Sequence, residues 1–546
     1  MTKKGRDRAA SLSRRFVHYE GLFFDAFAAD TAWIREEGRL RLPPLEGGGE
    51  LVLRGEFRPD PAAFGLEAGC PGLIVLIDHA AVAARRRFPP GPWELRVPLP
   101  AAGRAFTVGL RLTGVGWTNA LAWVGRVAPI GFLQRFRRQR KNRQLRIGTV
   151  SIGDGAVIFD FSNRAAPLSA EFARRHARLG LNVVGFLTAD LGVGESARAM
   201  VRAADAAGLP VALVPLRLNC LNRLGDESYA ARLQETNPHG VNVMHLDPPA
   251  AGDIDHHHGP GFRAGKYNIG YFAWELPEFP DPWLPYCDTF DEIWCPSDFT
   301  RDAIAMKCPR PVLTMPHAVA FARPAGSPAE LRARFGLPAG AFLFLSLFDL
   351  NSYAARKNPQ AAIEAFGRSG LGGRGAGLVV KVHNAAANPD DFAALQAAAR
   401  DLPGMVLIAA TFAREEIYAL EAACDCFVSL HRAEGFGLAI AECMYLGKPV
   451  LSTDWSAPAE FVSADNGCPI RFAPGVLDRS HGPYSKGSTW AEPDVAHAAE
   501  WMRRLFEDRT LAARLGAAAR ATIEERFSPA VIGARYRRRL ESIATF

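Results

Sequence analysis

The apolar positions of this chain fall into two textures. Between Phe16 and about Phe161, short apolar stretches such as "GELVLRGEF", "GLIVLIDH", "PWELRVPLP" and "AFTVGLRLTG" are punctuated by Gly and Pro, and long helical periodicity is scarce. That spacing predicts an all-β, sandwich-like accessory domain over 16–165. After "GAVIFDFSNRAAP" the chain alternates β-branched runs with Ala-rich helical stretches, which predicts βα units and parallel sheets. "GLNVVGFLTADLGVGESARAMVRAADAAGLPVALVPLR" reads as strand, glycine turn, helix and strand, and "VNVMHLD", "YNIGYFAWE" and "DEIWCPSDFTRDAIA" continue the pattern. A proline-studded stretch near "PHAVAFARPAGSPAELRARFG" interrupts it, and fresh strands begin at "AFLFLSLF", "GLVVKVH", "GMVLIAA", "CDCFVSL" and "KPVLS". The fold class is therefore α/β, with Rossmann-like domains over 180–325 and 326–525 and a C-terminal helix over 526–546 packing back on them.

Composition narrows the setting. A chain of 546 residues is too long for one core, and 48% hydrophobic with 22% charged residues is ordinary for a soluble protein. No apolar run approaches the roughly 18 to 20 residues of a membrane helix, and the basic N-terminus lacks the apolar segment of a secretory signal. A cytoplasmic protein is expected. Nine scattered cysteines read as reduced, packed thiols, and "DHHHG" at 255–259 reads as a solvated loop rather than a metal site. The excess charge of +7 is local: "RFRRQRKNRQLR", Arg135 to Arg146, holds seven basic residues and no acid. It is either a peripheral contact with phosphates or the anionic inner face of a membrane, or a solvated linker. Nucleic-acid binding is not expected, since neither a stacking platform nor a helix-turn-helix pattern accompanies the run.

Candidate chemistry concentrates in "HRAEGFGLAIAECMYLGKPVLS", 431–452. Gly435 and Gly437 flank Phe436 after an apolar strand, so the backbone turns sharply and opens a helix near Leu438. Unpaired N–H groups and the positive dipole end make a helix start an anion site. Glu434 precedes the turn and Glu442 lies about one turn inside the helix, so the two carboxylates either grip groups on both sides of a diphosphate or face water. The ligand shape that fits the first arrangement is sugar, diphosphate, nucleoside. Each hydroxyl held by a carboxylate contributes roughly 1.5 to 3 kcal/mol.

This spacing resembles the E-x7-E motif of retaining glycosyltransferases of family 4, which have the GT-B fold, and the resemblance covers about residues 180–540. It implies that Glu434 contacts the donor sugar and Glu442 the nucleotide ribose, with Gly435, Phe436, Gly437 and Leu438 at the phosphates. In "SYAARKNPQAAIEAF", Lys357 matches the family's phosphate-neutralising lysine. The expected arginine is replaced around Phe348 and Asp349, leaving Arg356 as its stand-in, and Ser352 offers a phosphate hydrogen bond. Gly192 and Gly194 in "ADLGVGESARAM" resemble the family's glycine loop. Trp274 and Glu275 in "YFAWELPEF" look like the acceptor side, as a stacking face and a hydrogen-bonding carboxylate. The family's histidine is absent from that loop, with His245 and His317 as nearby candidates. The implied activity is transfer of a sugar from a nucleotide-diphosphate donor to a hydroxyl of a glycan or lipid-linked oligosaccharide in polysaccharide biosynthesis. Configuration would be retained, with no metal and no cofactor beyond the nucleotide sugar. Two other readings stay open: a non-catalytic glycan-binding or scaffold protein on a degenerate GT-B fold, and an NADP-dependent oxidoreductase using G-x-G-x-x-A at 192–197 with Arg217 near a 2'-phosphate.

Overall fold

The computed structural model describes residues 19–24, 31–42, 48–58, 71–85, 87–99, 101, 106–114, 145–163, 167–172, 179–218, 220, 222–259, 261–264 and 266–543. The basic run 135–146 lies outside these residues except for Leu145 and Arg146. The chain divides into two compact units, one holding the described residues up to Leu179 with those from Arg537 on, the other Gly180–Tyr536.

Among the described residues the first unit holds one antiparallel sheet of nine strands: β1 Tyr19–Phe24, β2 Ala32–Leu42, β3 Gly49–Phe57, β4 Gly72–Ile77, β5 Ala80–Arg85, β6 Gly91–Leu99, β7 Phe106–Thr113, β8 Leu145–Ile152 and β9 Ala156–Asp160. Strands β5, β4, β7, β2 and β1 form one run and β6, β3, β8 and β9 another. The runs join where Ala32 and Trp33 of β2 pair with Ile147 and Arg146 of β8, so hydrogen bonding passes from one run to the other. Leu40, Leu53, Val75, Val97, Leu110 and Val150, from strands of both runs, share one apolar core. In β6 the side chains at Trp93, Val97 and Leu99 are buried while Pro92, Glu94 and Arg96 are exposed, the alternation of a sheet with one face on a core.

The second unit holds two six-stranded parallel sheets. In the first, β10 Leu181–Gly185, β11 Val211–Pro215, β12 Val241–His245, β13 Tyr267–Tyr271, β14 Glu292–Cys295 and β15 Val312–Thr314 lie in the order β11-β10-β12-β13-β14-β15. In the second, β16 Phe342–Asp349, β17 Ala376–His383, β18 Met405–Ile408, β19 Cys426–Ser429, β20 Val450–Thr453 and β21 Cys468–Ile470 lie in the order β18-β17-β16-β19-β20-β21. Every residue of β10, β12 and β14 is buried, as strands covered on both faces by helices must be. Strand order reverses between β10 and β12 in one sheet and between β16 and β19 in the other, and the loops leaving a reversal part to leave a crevice. Those four strands lead into the Gly192 loop, Asp247, the 350–357 segment and the Glu434 turn.

A hairpin, β22 Phe472–Val476 and β23 Thr489–Pro493, is inserted after the second sheet. The last helix, Pro529–Ile543, places Tyr536 in a stack on Trp294 with ring centroids 5.5 Å apart. Among the described residues no helix is long and apolar enough to cross a membrane.

Candidate active site

The switch-point loops of the second unit open on one cavity of about 1160 Å³. Glu434, Gly435, Phe436, Gly437, Leu438, Glu442, Ser352, Arg356, Lys357, Gly192, Trp274 and Glu275 all line it. Gly194 and His245 stand behind its wall rather than on it.

The turn after β19 is built as its glycines require. Gly437 has φ +91°, a left-handed conformation that a side chain would strain, and a Cβ there would approach Ile440 Cδ1 to 3.0 Å. The helix Leu438–Tyr445 follows at once, and its first bond within the turn runs from the Ala441 N–H to the Gly437 carbonyl. The N–H groups of Leu438, Ala439 and Ile440 thus have no partner inside the helix. Those three residues line the cavity.

Glu434 is nearly buried, and its carboxylate accepts a hydrogen bond from Lys357 Nζ and faces Arg356 Nη1 at 3.4 Å. Burial alone would raise this carboxyl, but Lys357 and Arg356 outweigh it and hold it at about 2. Arg356 donates to the Ala433 carbonyl at 2.9 Å and lies 3.9 Å from Glu275 Oε1. Both cations sit in the single helical turn Ala354–Lys357, not in the first turn of the long helix Pro359–Ser369. Asn358, at φ +53°, and Pro359, which lacks an N–H, separate the two.

Glu442 is paired with Arg414, which engages Oε1 and leaves Oε2 without a partner among the described residues. Burial raises the Glu442 carboxyl while Arg414 opposes the rise. Arg414 also reaches Glu195 Oε2 at 3.8 Å, and Glu195 receives Arg198 at 3.0 Å and Arg202 at 2.5 Å. Burial would raise Glu195, but these three guanidinium groups bring it to about 2. Sequence reasoning used only the glycines of "GVGESARAM" and passed over this acid. The signal was present, since Glu195, Arg198 and Arg202 at i, i+3 and i+7 share one helix face. The two glycines differ in what they do. A Cβ on Gly194 would sit 2.6 Å from the Phe186 carbonyl oxygen and 2.7 Å from that of Ala189, so this glycine serves close packing, whereas a Cβ on Gly192 meets nothing within 4 Å.

The hairpin insertion also reaches the cavity. The Tyr484 hydroxyl donates to Glu275 Oε2 at 2.9 Å, and its ring lies 5.5 Å from that of Trp274. Trp274 is nearly buried, its indole N–H donates to the Glu278 carbonyl at 2.9 Å, and Trp283 and Phe279 pack on it. It braces the wall more than it offers an open face. Asp247 lines the cavity with no side-chain partner among the described residues and is exposed there. Among the described residues no group of three His, Cys, Asp or Glu is placed to hold a metal ion. Within "DHHHG", His258 Nε2 accepts the Arg217 N–H at 2.9 Å.

His245 is fully buried, with Nδ1 at 2.9 Å from Ser196 Oγ and its ring stacked on Tyr271. Its place behind the wall makes it a support for Ser196. Burial lowers His245 far below its ordinary value and brings His317 and His431 to about 4. All three are neutral when folded, so below about pH 6.5 the unfolded chain binds protons that the folded chain does not, and stability falls with pH down to about 4. Each contributes about 1.4 kcal/mol per pH unit in that window. Melting temperature measured from pH 7 to 5 is expected to fall, less steeply in His431→Gln; equal slopes in the two proteins refute this account.

Residues 332–522 match the family model described as "Glycosyl transferases group 1". A stretch of 129 residues is 26% identical to the alpha-1,3/1,6-mannosyltransferase ALG2 of Homo sapiens, covering 24% of this chain and 26% of that protein, so the chain spans about a quarter of that relative's length. Among solved structures, Anabaena Alr3699/HepE, in complex with UDP and glucose, is 15% identical over 66% of this chain and 98% of that one, with a TM-score of 0.46. Sucrose-phosphate synthase of Thermosynechococcus elongatus is 13% identical over 66% and 97%, with a TM-score of 0.49.

Proposed function

We propose that this chain is a retaining glycosyltransferase of family 4 type that moves a hexose from a nucleotide-diphosphate sugar to a hydroxyl of a glycan or lipid-linked oligosaccharide. The observation that carries the reading is that Glu434, Glu442 and Leu438–Ile440, the start of the helix whose first N–H groups have no partner inside it, line one cavity with Lys357 and Arg356 beside Glu434. The group 1 glycosyl transferase match over 332–522 and the likeness to a human mannosyltransferase support it from a separate direction.

In this reading the diphosphate rests on the amino end of the Leu438 helix. Glu434 holds donor-sugar hydroxyls, and Glu442 holds the ribose through Oε2. The bond from the anomeric carbon to the phosphate oxygen breaks as the acceptor oxygen bonds to that carbon from the same face, and the departing phosphate takes the acceptor's proton. Negative charge grows on the phosphate, where Lys357, which here donates to Glu434, and the N–H groups at the start of the helix would stabilise it. No metal or further cofactor is invoked. Asp247, Glu275 and Tyr484 form the acceptor wall, whose carboxylates and hydroxyl suit a neutral polyhydroxy acceptor. Contact of 135–146 with an anionic membrane belongs to the same reading, and co-sedimentation with liposomes that ignores both anionic lipid and salt would remove it.

The test is a panel of nucleotide sugars. At least one is expected to raise the melting temperature and to be slowly hydrolysed, with the product's anomeric configuration retained by NMR, and Glu442→Gln should weaken its binding. No shift and no hydrolysis with any donor would favour a non-catalytic binding protein. Saturable NADPH binding would favour an oxidoreductase.

A further inference from the structure

The cavity lining includes residues to which the sugar and diphosphate assign no role. Arg414, the partner of Glu442, begins the helix Arg414–Ala423, and Phe412, two residues earlier, lines the same wall. The Lys381 ammonium stands 5.5 Å from the centroid of the Phe412 ring. Lys381 belongs to β17, in register with Leu347 of β16, and is only 3% exposed. Its Nζ has no hydrogen-bond partner among the described residues, yet the residue lines the cavity. Two positions on, on the same face of the strand, His383 also lines the cavity, with Nε2 buried and unpartnered.

The stem of Lys381 is buried while its ammonium opens on the cavity, where the Asp349 carboxylate also lies, so its hydrogen-bond donors are available to a ligand there. Burial lowers Lys381 to about 8, which still leaves it charged at neutral pH. A flat ring beneath a cation suits a ligand that is both planar and rich in acceptor oxygen. With the ribose on Glu442, the group carried by its anomeric carbon extends past Arg414 toward this ring.

We infer that Lys381, standing over Phe412, reads the nucleobase of the donor and selects bases that turn a carbonyl oxygen toward it, uracil or guanine, over adenine. An ammonium has three donors and no acceptor, so it pairs with a carbonyl, whereas adenine's exocyclic amino group opposes it donor to donor. The inference rests on the cavity's being a nucleotide-sugar site and adds which nucleotide that site accepts.

The experiment is calorimetric titration of UDP, GDP and ADP into the full chain and into Lys381→Met, Phe412→Leu and Glu442→Gln. Wild type should bind UDP or GDP about 10- to 100-fold tighter than ADP, the range that one charge-assisted hydrogen bond supports. Lys381→Met should abolish that ratio while leaving ADP affinity within about twofold, and Phe412→Leu should weaken all three nucleotides alike. Methionine keeps the length of the side chain and removes a buried charge, so the variant should melt no lower than wild type. An unchanged UDP-to-ADP or GDP-to-ADP ratio in Lys381→Met, equal loss for all three, or wild-type preference for ADP would overturn the inference. If Glu442→Gln weakens binding while the base ratio survives Lys381→Met, only the base assignment fails. If wild type binds none of the three, the nucleotide-sugar reading fails with it.

Discussion

Replacing Glu434 with alanine is expected to destabilise the fold by about 3–5 kcal/mol, because removal of one member of a buried ion cluster strands the others. Lys357 and Arg356 would lose the carboxylate that both face, and Arg356 would keep the Ala433 carbonyl at 2.9 Å and, as its one carboxylate among the described residues, Glu275 at 3.9 Å. Burial already lowers Lys357 below its usual value, so without Glu434 it escapes most easily by shedding its proton. The double variant Glu434→Ala/Lys357→Met should therefore recover part of the loss, and urea unfolding of the four proteins of the cycle measures the coupling. Glu434→Gln keeps the shape and one of the two acceptor oxygens but turns an amide donor toward one of the two cations, so it should unfold between Glu434→Ala and wild type while transfer falls by about 10²- to 10³-fold, the scale of losing one preorganised polar contact to the reacting group. A Glu434→Ala protein within about 1 kcal/mol of wild type would show that the cluster is not the buried unit described. The acid limb follows the same logic. A carboxyl held at about 2 contributes stability that is complete above about pH 4.5 and is lost as pH falls toward 2.

The residues that sequence alone brought forward share a property: their roles follow from local backbone form. The apolar, β-branched and aromatic runs of β16, β17 and β19, short and bounded by turn residues, read as buried strands. Gly435 and Gly437 before Leu438 could only be a sharp entry to a helix, and that entry places Glu434 and Glu442 on one cavity. What stayed hidden depends on partners far along the chain. Arg414 meets Glu442 across 28 positions, Lys357 meets Glu434 across 77, and Tyr484 meets Glu275 across 209. No periodicity encodes such meetings, because the order of strands in the sheets decides them. Lys381 illustrates the point, since within "GLVVKVH" it reads as one polar position of a buried strand. Only the pairing of β17 beside β16 and the loop carrying Phe412 put its ammonium on the cavity. In the first unit, β2 was not among the stretches singled out, because "AWIREEGRLRL" mixes charges with apolar residues, and yet it joins the two runs of the sheet.

Glu195 is the second position where one substitution should have a large effect. Its carboxylate is 4% exposed and lies among Arg198, Arg202 and Arg414, so the pull of three cations outweighs the burial that disfavours it. Alanine there is expected to lower stability by about 3–5 kcal/mol. Arg198 retains Asp226 at 3.1 Å and two carbonyl acceptors, so the damage falls on Arg202 and Arg414. Glu421 is fully buried with neither oxygen hydrogen-bonded, and burial pushes its carboxyl far above the usual range, so it makes no bond that would replace Glu195 for Arg414. Arg414 then has Glu442 as its remaining carboxylate partner, and freed from Glu195 it can turn its fork onto Oε2 as well as Oε1, in competition with the ribose. Nucleoside diphosphate affinity should accordingly fall about tenfold in Glu195→Gln, the milder variant, which corresponds to about 1.4 kcal/mol. Adding Arg414→Met to Glu195→Gln frees Glu442 and should restore the affinity. If the double variant binds no better than Glu195→Gln alone, Arg414 is a contact to the nucleotide rather than its competitor.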